Sequence, residues 1–140
     1  MLNRPIQAFA PDAGTAGGAG APASVLDPVA LSRLAELDPG GANRLLERVL
    51  QAFLTSLTRL RPQLAGGRAS GDRAAVRLVT HTLKSSSASI GAMRLSQLCA
   101  EIETAIRLDP AADLDERLDA LDVALDDTVL AIEFQMRGPG

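Results

Sequence analysis

From Ser24 to Met136 the large apolar residues recur at three- and four-residue intervals with polar residues between them, the period of amphipathic helices and not of strands. Ser24–Leu37 carries Val25, Leu26, Val29, Leu31, Leu34 and Leu37. Asp27-Pro28 supplies a cap followed by proline at the first helical position, which predicts a short leading helix. Asp38-Pro39-Gly40-Gly41 breaks it by turn chemistry. From Ala42 to Leu64 one stripe (Leu46, Val49, Leu50, Phe53, Leu57, Leu60, Leu64) predicts a helix of about six turns. Pro62 should kink or tighten its last turn, and Gly66-Gly67 should stop it. Ser70-Gly71-Asp72 caps a third helix and gives it a first-turn acid; it runs to about Ser89. Gly91 re-aims the chain into Ala92–Leu108, which ends at Asp109-Pro110. A last helix from Ala112 to about Met136 places Leu114, Leu118, Leu121, Leu125, Thr128 and Ile132 on one face. Its carboxylates lie mostly elsewhere and read as a solvated face, not a metal or acid–base cluster.

Short connections make sequential helices antiparallel neighbours. The expected fold is therefore all-α: an up-and-down antiparallel four-helix bundle with a short extra N-terminal helix, over residues 24–137. Residues 1–23, rich in Ala, Gly and Pro, cannot bury enough surface to offset the entropy of ordering and are expected to form a disordered tail.

Composition narrows the chemistry. The chain has 46% apolar residues, only 2% aromatics and a net charge of −3, so the core is aliphatic and nothing is provided to neutralise phosphates or stack bases. Nucleic acid is not an expected partner. One cysteine, Cys99, allows no intrachain disulfide, and with one histidine it cannot complete a usual zinc site. Cys99 falls in the apolar stripe, where a free cysteine acts as a small hydrophobe. Without a membrane-length apolar run or a signal-peptide core, a cytoplasmic location is expected.

The single histidine, His81, and the single lysine, Lys84, lie three residues apart on the third helix and share a face. At about 100° per residue, Val76, Val79, Leu83, Ser86 and Ile90 fall opposite His81 and form the expected buried row. Ser86 is small enough there to let another helix come close. Ala74, Arg77, Leu78, Lys84, Ser85 and Ala88 fall on the side of His81. Every other basic residue is Arg, so a compact ammonium is singled out beside the imidazole. A neutral imidazole is a competent nucleophile near pH 7, and Lys84 can offset the charge of a phosphoryl group bound there. No second acid, base or metal ligand is expected near His81, which argues against an ordinary enzyme.

His81-Thr82-Leu83-Lys84-Ser85-Ser86-Ser87-Ala88-Ser89-Ile90-Gly91-Ala92, followed by Leu95, Leu98-Cys99 and Ile102-Glu103, resembles the signature of bacterial histidine-containing phosphotransfer (Hpt) domains, close to H-x-L-K-G-S-S-A-N-I-G-A-x-x-L-x-x-L-C-x-x-L-E. The resemblance implies that His81 accepts a phosphoryl group, on Nε2, from a receiver-domain aspartate and passes it to another receiver. It implies that Lys84 offsets phosphoryl charge and that Gly91 closes the helix. Ser85 departs from the family glycine and Ser89 from the frequent asparagine. Ser85 either crowds the docking of a partner or uses its hydroxyl, on phosphoryl oxygens or back on the His81 carbonyl.

No Gly-rich phosphate loop or Asp cluster for magnesium is present, so no cofactor is expected and the partner must supply both phosphoryl group and Mg²⁺. The expected function is a phosphorelay intermediate and not a kinase. Its partners would be response-regulator receiver domains and a hybrid sensor histidine kinase, docking on Ala74, Arg77, Leu78, Ser85 and Ala88 with help from the leading helix. The alternative is a non-phosphorylated helical module that docks a receiver or kinase.

Overall fold

Asp27 and Pro28 open the first helix as their types dictate. The Asp27 carboxylate accepts from the Val29 N–H at 3.0 Å, and Pro28 takes the position where no N–H is needed. In the computed structural model, which describes residues 25–137, this helix (α1) spans Pro28–Glu36 and starts at Pro28, not Ser24, because Asp27 caps it. The tail expected over residues 1–23 lies outside the described residues. After a 3-10 turn at Pro39–Gly41 come α2 (Leu45–Ser70), α3 (Arg73–Ser89), α4 (Met93–Leu108) and α5 (Asp115–Arg137).

Each long helix packs on the next, α5 returns to α2, and α1 lies against α2. The result is an all-α, up-and-down four-helix bundle with a short leading helix, and no strand occurs among the described residues. The core is aliphatic, with Leu50, Leu83, Leu95, Ile102, Leu121 and Ile132 almost or wholly buried. The α3–α4 pair makes the most extensive contact.

α2 differs from its expected span at both ends. Its start moves from Ala42 to Leu45, because Arg44 adopts a left-handed backbone (φ 54°) and the buried Asp38 carboxylate caps the helix from outside it. Asp38 accepts from the Leu45 N–H at 3.1 Å, the Asn43 N–H at 3.2 Å and Asn43 Nδ2 at 3.1 Å. These bonds, that from Leu45 foremost, hold the Asp38 carboxyl below its usual range.

At the other end Gly66-Gly67 does not stop α2. It runs to Ser70 and closes on Gly71, at φ 73°. Pro62 is exposed and removes one backbone donor, while Leu60, Leu64 and Gly67 keep the buried face packed. Gly67 lets α3 come close: a Cβ there would meet the Ala75 Cβ of α3 at 3.1 Å.

Asp72 is itself the N-cap of α3, accepting from the Ala75 N–H at 3.1 Å, and no first-turn acid follows it. The last helix begins at Asp115, not Ala112, with Leu114 buried just ahead of it. Its exposed acids also meet α2, through Arg68–Asp119 at 2.8 Å and Arg61–Asp126 at 3.0 Å. No helix among the described residues is long and apolar enough to cross a membrane.

Candidate functional site

α3 buries Val76, Val79, Thr80, Leu83 and Ser87. That sector is turned toward Thr80 and Ser87, because α4 packs on the side of α3 that also carries Lys84. The turn corrects one expectation. Ser86 is half-buried, not buried, and its hydroxyl folds back on the Thr82 and Leu83 carbonyls at 3.3 and 3.4 Å. Ser87 is the small residue of α3 that is fully buried, and its hydroxyl has no partner among the described residues. On the opposite face Ala74, Arg77, Leu78, His81 and Ser85 are exposed, with Lys84 and Ala88 half-buried.

The expectation that no second acid or base approaches His81 is also corrected. α4 buries Leu95, Leu98, Cys99, Ile102 and Ile106, and Glu103, one step beyond that stripe, reaches across to α3. Its Oε2 lies 2.7 Å from His81 Nδ1 and its Oε1 2.6 Å from Lys84 Nζ. The Lys84 ammonium, and after it His81, hold the Glu103 carboxyl below the usual carboxylate range against the opposing effect of burial.

An ionised carboxylate only accepts hydrogen bonds, so the Nδ1 that meets it carries the proton. In the neutral ring this leaves Nε2 with the lone pair, on a side chain that is 65% exposed. One carboxylate thus selects the imidazole tautomer and holds the neighbouring ammonium. With His81 neutral, the Glu103–Lys84 pair has no net charge. A dianionic group added at Nε2 would have the Lys84 ammonium, one turn away on the same helix face, to offset its charge.

Ser85 is exposed and its hydroxyl makes no hydrogen bond among the described residues; its carbonyl accepts from Ser89 Oγ at 3.1 Å. Its hydroxyl is therefore not folded back on the His81 carbonyl. Gly91 has φ 80°, and its carbonyl accepts from the Asp27 N–H at 2.8 Å. A Cβ on Gly91 would meet that same nitrogen at 2.8 Å, so the glycine both closes α3 and seats α1. This puts α1 at the Gly91 end of α3, about 15 Å along the axis from His81.

Cys99 is buried, and desolvation pushes its thiol up to about 12. An open groove of about 490 Å³, lined by Val25, Met93, Ala120 and Val123 among others, includes none of His81, Lys84 and Glu103. The site is an exposed helix face and not a cavity.

The Hpt domain family model matches residues 48–133, which contain the whole of this site. The chain belongs to the Hpt domain family. It is similar in fold to the crystal structure of histidine-containing phosphotransfer protein B from Pseudomonas aeruginosa PAO1. The TM-score is 0.68, at 22% identity over 82% of this chain and 97% of that one. A comparison with curated protein sequences gives no match. As an Hpt domain, the chain has a histidine phosphotransfer role in phosphorelays, the role of a carrier and not of a kinase. Hpt domains interact there with receiver domains and kinases.

Proposed function

We propose that His81 is the phosphoacceptor of this Hpt domain, taking a phosphoryl group from a receiver aspartate and passing it to a second receiver. The observation that carries the reading is the 2.7 Å contact of the Glu103 carboxylate with His81 Nδ1, which leaves Nε2 as the nucleophile. The Nε2 lone pair attacks phosphorus, the bond from phosphorus to the aspartyl oxygen breaks, and the aspartate leaves as carboxylate. The Nδ1 proton stays on the ring. Glu103 then faces the positive charge that the phosphorylated imidazole acquires, and Lys84, which is half-exposed, faces the phosphoryl oxygens.

Because no proton has to leave His81, return of the phosphoryl group to another aspartate is the same step reversed. Phosphoryl transfer asks chiefly for positioning and charge compensation, and these two side chains offer both.

Glu103, the carboxylate beside His81, is already engaged by Lys84 and His81. In this reading magnesium therefore comes with the receiver. The receiver docks on the face formed by Ala74, Arg77, Leu78, Ser85 and Ala88, small or exposed side chains that let a partner approach Nε2 closely. Incubation with a phosphorylated receiver tests the assignment: wild type is expected to take up label and His81→Gln is not. Equal labelling of both would move the phosphoacceptor elsewhere.

A further inference from the structure

The contact that selects the His81 tautomer is made between two helices, so it is only as well defined as their relative placement. α3 and α4 are antiparallel, and Lys84 is gripped by α4 at both of its ends. Side chains lean toward the N-terminus of their helix, and the Lys84 ammonium accordingly meets Glu103 at the level of His81, 2.6 Å away. The backbone carbonyl of the same residue points toward the helix C-terminus. There it accepts a hydrogen bond from Ser96 Oγ, at 2.8 Å, in addition to the bond within its own helix.

Ser96 and Glu103 are seven residues apart on α4, two turns along one face, separated by about 10 Å. Nothing in the Hpt motif singles out Ser96. Its neighbours in the α3–α4 interface are mostly apolar, and apolar packing is non-directional. A single directed bond to a rigid backbone atom fixes what that packing leaves free, namely the slide and rotation of α4 against α3.

We propose that Ser96 is a positioning residue for the phosphotransfer site. By bonding the Lys84 carbonyl it sets the register of α4 at which the Glu103 carboxylate meets His81 Nδ1 and Lys84 Nζ together. The inference rests on His81 being the phosphoacceptor, but its first readout does not require phosphorylation.

The test uses the full chain labelled with ¹⁵N and compares Ser96→Ala, Ser96→Val and Ser96→Thr, the last two having nearly the same shape and differing in the hydroxyl. Long-range ¹H–¹⁵N spectra of the imidazole report which His81 nitrogen carries the proton. Wild type and Ser96→Thr are expected to show the Nδ1–H form, whereas Ser96→Ala and Ser96→Val shift toward a mixture with the Nε2–H form. Acceptance of phosphoryl from a phosphorylated receiver is expected to slow about fivefold in the Ala and Val variants, the factor that matches one hydrogen bond of ordinary net strength, and to be restored in Ser96→Thr.

Thermal melts identify any variant that fails to fold; if Ser96→Thr is one, the comparison of Ser96→Ala with wild type still decides. Ala and Val variants that are folded, with the wild-type tautomer and the wild-type rate, overturn the proposal. Wild type with the Nδ1–H form but no uptake of phosphoryl would instead overturn the assignment of His81, leaving the effect of Ser96 on the tautomer readable.

Discussion

At the scale of single residues, Glu103 distinguishes this site from a surface histidine beside a lysine. Its two oxygens are divided between Nδ1 and Nζ. Substitution should therefore separate its effects. Glu103→Gln keeps an acceptor for Nδ1–H but loses the negative charge, and Glu103→Ala loses both. Phosphoryl acceptance is expected to fall by about tenfold or more in Glu103→Ala and by less in Glu103→Gln. Rapid-quench transfer from a labelled receiver measures both, and an Ala variant as fast as wild type would remove Glu103 from the mechanism. His81 and Lys84 were legible in the sequence because each is the sole residue of its type and both share one helix face. Glu103 was not, because the angular arrangement of α3 cannot reveal what α4 brings across. The available signal was the glutamate that ends the motif, one position beyond the apolar stripe. Ser86 lies outside the buried sector for a related reason: the burial direction of α3 is set by where α4 and α2 sit, and it is turned toward Ser87.

At the scale of elements, the buried Ser87 hydroxyl, which has no partner among the described residues, costs desolvation with no bond in return. Ser87→Ala is expected to raise stability by about 1 kcal/mol, read as a higher urea midpoint; a lower midpoint would mean that the hydroxyl is satisfied in solution. Gly91→Ala has the opposite sign, since a Cβ would press on the Asp27 nitrogen at φ 80°. A loss of about 1–3 kcal/mol is expected, with α1 becoming more sensitive to protease, and an unchanged melt would contradict this role. Asp38 ties α2 to the turn before it, and its pH dependence follows from its lowered carboxyl. Such a group contributes fully above the unfolded-chain value, near 4, and its contribution is lost as pH falls through the lower folded value. Urea midpoints of wild type and Asp38→Asn should differ at pH 7 and converge in acid; a constant difference would argue against the capping role. The helices themselves were legible from apolar spacing and local caps such as Asp27-Pro28. The ends of α2 were not, because Asp38 caps it from a distance and because Gly66-Gly67, a breaker by local propensity, is held in the helix by the approach of α3.

At the scale of the whole molecule, the four-helix bundle presents the His81 imidazole on an exposed helix face. In the proposed function each receiver brings its own reactive aspartate to Nε2 in turn, which requires such a face to be open. In that proposed function His81 carries the phosphoryl group. Its most direct test is transfer from a phosphorylated receiver domain to wild type and to His81→Gln, followed by acid and base treatment of the labelled protein. The account predicts a label on wild type that is lost in acid, survives base and is absent from the folded His81→Gln variant. No label on folded wild type with several receivers, or a label that persists in His81→Gln, would contradict it.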